Sequence, residues 1–235
     1  DVSTPAFFPV INFIGGPTTN SGGIWSRVRD TLFDNRRFQG ALYQAMGFTD
    51  FSVSSETMDE HWRTQSMHAH YPEFEKPLFV DSGGFKLLNS ETFGSPPEAG
   101  GDPNEYGIYT NPESILKLQR DYGADIIATL DYPIPPNLKE DEKTERMEKS
   151  IQSAIRCLEL LDEWDWEVTV YVAIHGHNYE TINWYVSQVL DEAGSRAGRI
   201  AGFAIGSLVP LREKVDVLVD IVQGARDAIP EDRYD

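Results

Sequence analysis

Short apolar runs alternate along the chain with longer stretches of helical period. Residues 78–80, 126–130, 168–174 and 200–205 are apolar, and each run is followed by a polar or Gly-rich turn. Such runs suit strands buried on both faces, as in a parallel sheet. Between them, residues 112–120 predict a helix, with Asn111 as its cap, Pro112 in its first turn and Ile115, Leu116 and Leu118 toward the sheet. Over residues 144–164, Met147, Ile151, Ile155, Leu158 and Leu161 recur at helical spacing and form one apolar stripe, with Glu, Lys and Arg elsewhere. Residues 181–193 repeat the pattern with Ile182, Tyr185, Val186, Val189 and Leu190, and residues 211–228 predict a fourth helix. Strand, helix, strand, helix is the pattern of right-handed crossovers.

The earlier part is less regular. Residues 6–10 and 50–53 are expected as strands, 15–23 as a Gly-, Thr- and Ser-rich loop, and 27–46 as a helix. Residues 95–103, rich in Pro and Gly, and the charged residues 133–142 read as loops over one rim. This makes about six strands, where an eight-stranded α/β barrel needs two more. Ile229 to Asp235 reads as a loop leading into another strand, so a further segment is expected beyond it. The expected fold is therefore α/β, a (β/α)8 TIM barrel truncated before its last strands, with residues 1–235 as one domain.

Charge narrows the partners. The 20 Lys and Arg against 38 Asp and Glu give a net charge of −18, which argues against coating nucleic acid over the whole surface but leaves room for a local basic groove. Arg27, Arg29, Arg36, Arg37 and Arg63 could form one, beside the plainer reading of a solvated helix surface. Excess carboxylate also fits a halophilic protein, and equally an acidic protein of ordinary habitat. The one cysteine, Cys157, lies in the long helical stretch and reads as a buried thiol. No run is apolar enough for a membrane anchor or signal peptide, so a cytoplasmic location is expected.

The unusual residues fall at the ends of the apolar runs. Asp81 follows Phe79-Val80, Asp131 follows residues 127–130, His175-Gly176 follows residues 172–174, and Gly206-Ser207 follows Ala204-Ile205. In a parallel barrel those ends converge on one mouth, where catalytic residues sit. In Asp81-Ser82-Gly83-Gly84-Phe85 the glycines let backbone amides approach a flat ligand, with Phe85 stacking or packing; the plainer reading is a turn in which Asp81 caps a helix. Asp131 leaves an apolar strand into Tyr132-Pro133-Ile134-Pro135-Pro136, where it could accept two hydrogen bonds from an amidine-like edge or serve as a salt-bridged loop acid. His175 and His177 admit a metal site, a hydrogen-bonding role for His175, or packing. Gly206-Ser207-Leu208 would present backbone groups to a ligand or merely form a tight turn.

These segments resemble the tRNA-guanine transglycosylase superfamily. Asp81-Ser82-Gly83-Gly84-Phe85 is similar to its DSGGFQ motif, Asn111 to Ile115 through Gly123 to Ile126 to its helix before the second acid, and Thr4 to Val10 to its opening TPxFxPV. Asp131 with its prolines looks like the base-recognition acid of the archaeal branch, and Ala204 to Leu211 like that branch's IGAVVPL. The resemblance implies exchange of guanine in a polynucleotide for a 7-deazaguanine such as 7-cyano-7-deazaguanine, through a covalent bond between an aspartate and C1′ of the ribose. It makes Asp81 the catalytic acid/base, and Ser82, Gly83, Phe85, Asp131, His175, Gly176, Gly206, Ser207 and Leu208 the base pocket. It places the nucleophilic aspartate and the ligands of a structural zinc beyond Asp235.

Lys86 stands where the motif has Gln, Pro133 where many members have Cys, and His175 at what looks like a Gln position, which leaves the incoming base open. tRNA is the expected partner, with DNA as the alternative substrate, and a homodimer is among the expected assemblies. Two other readings stand: a non-catalytic transglycosylase-like partner subunit, and a metal-dependent barrel hydrolase using His175 and His177.

Overall fold

A computed structural model of the chain describes residues 8–10, 38–45, 68, 74–84, 111–134, 138–206, 208 and 211–231. Five strands form one sheet: β1 (Ala41–Gln44), β2 (Leu78–Asp81), β3 (Ile126–Ala128), β4 (Thr169–Ile174) and β5 (Ile200–Ile205). All neighbours are parallel, and the order across the sheet is the order along the chain. Sequential parallel order with no reversal keeps every crossover helix on the same side, the winding of a (β/α) barrel rather than of a doubly wound sheet. The helices are α1 (Pro112–Asp121), α2 (Glu140–Glu163), α3 (Tyr179–Ala193) and α4 (Val215–Ala228). Each packs against the next, making one outer layer.

Alternate strand residues divide between two faces. Leu78, Val80, Ile127, Val170, Val172 and Ile174 are buried in one core with Ile115 and Leu116 of α1, Ile151, Leu158 and Leu161 of α2, and Ile182, Val186 and Val189 of α3. Burying each such Leu, Ile or Val contributes about 1.5–3 kcal/mol relative to leaving it in water. Phe79 and Tyr171 occupy the intervening positions and meet at a centroid distance of 5.9 Å, with Phe8 edge-on to Phe79 at 6.0 Å. Cys157 is buried as expected, and burial pushes its thiol up to about 12.

The helices begin where local chemistry dictates. The Asn111 side chain accepts the Ser114 N–H at 2.8 Å, Pro112 opens α1, and Glu113 and Arg120 match the helix dipole at its two ends. Asn178 caps α3 in the same way, accepting the Thr181 N–H at 2.9 Å.

Four sequence expectations change. The stretch 27–46, expected as a helix, contains β1: Ala41 pairs with Leu78 and Gln44 with Asp81, and this pairing overrides local helical pattern. Gly40 was the available signal, since a side chain there would strike Pro77 and Phe8. Residues 133–142 are not all loop, because α2 starts at Glu140, where Glu140, Asp141 and Glu142 stabilise the positive end of the helix and Glu142 Oε2 accepts the Lys139 N–H at 3.1 Å. β3 ends at Ala128 rather than residue 130. α4 starts at Val215 rather than residue 211, after a turn in which Leu208 and Leu211 carbonyls accept the Leu211 and Lys214 N–H groups.

Of the expected strand at 6–10, Val10 makes a single parallel bridge to Leu42. The strand expected at 50–53, the loops at 15–23 and 95–103, and the five arginines of the expected basic face lie outside the described residues. Among the described residues no helix is long and apolar enough to cross a membrane.

Candidate active site

β2 ends on Asp81, and the chain then turns sharply. The Gly83 N–H bonds back to Asp81 Oδ2 at 3.2 Å, with Gly83 at φ 82°, a backbone sign that glycine adopts without strain. Ser82 is wholly buried; its Oγ accepts the Gly84 N–H at 3.1 Å and donates to Asp131 Oδ1 at 3.0 Å. A side chain on Gly84 would sit 2.6 Å from the Asp131 carbonyl oxygen and collide with its carboxylate. The two glycines therefore do different things: Gly83 supplies the turn, and Gly84 lets the second acid approach. Gly84→Ala should cost about 1–3 kcal/mol of stability, the range for forcing volume into a packed site. Urea unfolding would measure it, and an unchanged midpoint would contradict the close approach.

Asp131 lies three residues beyond β3 and is held from several sides. Thr129 continues the strand by donating its N–H to the Tyr171 carbonyl at 3.1 Å and taking the Ala173 N–H on Oγ1 at 3.0 Å. From α2, Ser150 Oγ accepts the Tyr132 N–H at 2.9 Å while donating to the Arg146 carbonyl, and Arg146 Nη1 donates to the Pro133 carbonyl, both at 2.8 Å. His175 directly follows β4 and is 1% exposed, with Nε2 2.7 Å from Asp131 Oδ2. A carboxylate only accepts, so the ring carries its proton on Nε2. Gly206 follows β5 and lies against that ring, where a side chain would strike the His175 Cε1. Gly176 serves packing of another kind, since a Cβ there would come within 2.8 Å of Ile182.

Asp81 keeps some accessible surface at the mouth, yet its carboxyl is enclosed by protein. Burial, and after it the charge of Asp131, raise its pKa to about 7 against the lowering pull of the Gly83 and Ser82 amides and of His175. One carboxyl of the pair thus exchanges its proton near neutrality. That is the property a general acid and base requires.

The structure brings Asp81, Ser82, Gly83, Asp131, His175 and Gly206 together at the C-terminal ends of β2 to β5, as the sequence placed them. Leu208 is partly buried against the core. Phe85, Lys86 and Ser207 lie outside the described residues. His177 does not join His175 at Asp131: its N–H bonds to Thr181 Oγ1 at 3.0 Å at the start of α3, and burial, then Lys143, pull its ring below the usual range. Among the described residues no group of three or more His, Cys, Asp and Glu side chains could hold a metal ion. Sequence reasoning missed Gln119, Thr129 and Ser150, which hold the strand ends. The signal was there for two of them: Gln119 and Ser150 are polar residues on the apolar stripes of α1 and α2, and both are buried.

A parallel βα arc whose strand ends carry two carboxyls that feel each other's charge, one of them raised to about 7, is suited to acid–base chemistry at a barrel mouth. A family model described as queuine tRNA-ribosyltransferase matches residues 42–234, and the chain belongs to that family. It is 29% identical over 248 residues to the queuine tRNA-ribosyltransferase of Francisella tularensis subsp. holarctica (strain FTNF002-00 / FTA), covering 99% of this chain and 59% of that one. The same figures hold for the protein of that name from Francisella tularensis subsp. tularensis (strain SCHU S4 / Schu 4). A tRNA-guanine(15) transglycosylase of Methanococcus aeolicus is 23% identical over 163 residues, 68% of this chain and 22% of that one. The chain therefore spans less than two thirds of the length of these relatives.

Proposed function

We propose that this chain, acting as one domain, recognises the base and handles the proton in a transglycosylase that exchanges guanine in tRNA for a 7-deazaguanine such as 7-cyano-7-deazaguanine. Family membership supports the reaction class, and the names of the relatives support tRNA as the substrate. The observation that carries the reading is the buried pair of Asp81 and Asp131, with Asp81 raised to about 7.

Asp81 in its protonated form gives its proton to the departing base as the bond between that base and C1′ breaks. The resulting carboxylate takes a proton back from the incoming base as the new bond forms. A separate aspartate carboxylate, not assigned to any described residue, bonds to C1′ between the two steps and divides the exchange into two displacements. Asp131 reads the guanine-like edge. Its two oxygens already take one bond each, from Ser82 and from His175, and each has a second lone pair for the base N1–H and exocyclic amine. Gly206 keeps the His175 ring in place, and Ser82 does the same for the opposite oxygen.

The test is transfer of labelled guanine and labelled 7-cyano-7-deazaguanine by the purified full-length protein into tRNA and into duplex DNA. Label in tRNA is expected. Label in DNA alone would move the reading to DNA, and label in neither would leave the chain a non-catalytic member of its family.

A further inference from the structure

We propose that Gln119 is a positioning residue that sets the separation of Asp81 and Asp131 by tying the ends of β2 and β3 together. The inference rests on the proposed roles of those two acids. Gln119 is 1% exposed, and its Nε2 donates to the carbonyls of Val80 and Ala128, both at 2.8 Å. A side-chain amide has two N–H groups, so one nitrogen serves both strands at once. Val80 immediately precedes Asp81, and Ala128 is the last residue of β3 on the way to Asp131.

Place in the sheet gives this bond its effect. The register between β2 and β3 runs from Phe79 and Ile126 to Val80 and Ile127, so the two acids lie past the last residues that these two strands pair with each other. Among the described residues, side chains tie these segments at three levels. Asp125 Oδ2 accepts the Leu78 N–H at the start of β2, Gln119 acts at the strand ends, and Ser82 bonds to Asp131 at the mouth. The first lies at the far end from the acids, and the last is part of the site itself. Of these three ties, the one from Gln119 reaches down from the helix layer and bonds both strands at once. α1 is in turn fixed by its Asn111 cap and by Ile115 and Leu116 in the core, which makes it a rigid arm for the clamp.

The separation matters because each acid feels the other's charge. The groups facing Asp81 among the described residues are Asp131 from the end of β3 and His175 from the end of β4, with the Ser82 and Gly83 amides on its own segment. If the strand ends part, repulsion from Asp131 weakens and Asp81 holds its proton less tightly. Misplacement of reacting groups on the order of 1 Å also costs about 10²-fold in rate.

The experiment compares the protein with Gln119→Met, which keeps length and volume but has no N–H, and with Gln119→Asn, which keeps the amide but is one methylene short. Asp81 is followed by carboxyl 13C titration and exchange into tRNA by label transfer. The clamp predicts that in the Met variant the Asp81 midpoint falls by about half a unit or more. It also predicts that kcat falls at least tenfold with a smaller change in KM for the base, and that the Asn variant is intermediate. A folded Met variant with the parent's Asp81 midpoint and kcat would overturn it, leaving Gln119 as a partner for two backbone carbonyls. Failure of both variants to fold would count the same way, as a purely structural role. Absence of exchange in the unmodified protein would sink the proposed function, while the titration would still decide the clamp.

Discussion

Asp131→Asn should lower kcat/KM for base exchange by about 10²–10⁴-fold. Two charge-assisted hydrogen bonds to the base are at stake, each worth about 1.5–3 kcal/mol, and tenfold in rate corresponds to about 1.4 kcal/mol. The amide cannot reproduce the carboxylate because its NH2 turns a donor toward groups that are themselves donors. Within the protein the same mismatch arises, since Ser82 Oγ donates to one oxygen and His175 Nε2 to the other. The loss should fall mainly on base binding, measured by calorimetric titration with guanine. A second signature follows from the charge removed: Asp81 should titrate lower, because the Asp131 charge is a raising influence on it second to burial. Guanine affinity unchanged in this variant would remove Asp131 from base recognition.

Asp81→Asn should abolish most exchange and yet stabilise the fold above neutral pH. General acid–base groups contribute about 10²–10⁴ in rate, so kcat should fall by that amount with guanine affinity largely retained. The stability effect follows from linkage. The folded value of about 7 lies above the ordinary aspartate value of 3.8, so the folded protein binds the proton more tightly than the unfolded chain. Stability from this group is fully present below about pH 4, declines as the pH rises, and is lost above about pH 7. An asparagine never ionises and escapes that loss, and its side-chain oxygen can still accept the Gly83 N–H. The gain should be on the order of 2–4 kcal/mol at pH 8.5 and shrink toward zero at low pH. Thermal melts of both proteins across that range measure it, and a variant less stable than the parent at pH 8.5 would contradict the burial of the Asp81 charge. A functional acid that destabilises its own fold fits the general trade between activity and stability.

The sequence announced most of this architecture through patterns that need no tertiary information. The stripe from Met147 to Leu161, the cap at Asn111, and the apolar runs ending in Asp81, Asp131 and His175 all follow from local periodicity and cap chemistry. Where it misled, a partner distant in the chain overrode the local pattern. Ala41 to Gln44 became a strand because β2 lies beside it, and the acidic start of α2 looked like a loop until its charges met the helix dipole.

For the site, spacing along the chain was enough to gather the acids at one mouth, because parallel strands end together. Side-chain partners were beyond its reach. Which oxygen of Asp131 faces Ser82 and which faces His175, why Gly84 has no side chain, and why a glutamine interrupts the apolar stripe of α1 all depend on contacts between residues 9 to 49 positions apart in sequence. Periodicity follows from the backbone geometry of each element alone, and so the sequence determined the elements and the set of acids at their ends. The raised pKa of Asp81 and a two-strand clamp depend on distances between elements, and only the packed fold decides those.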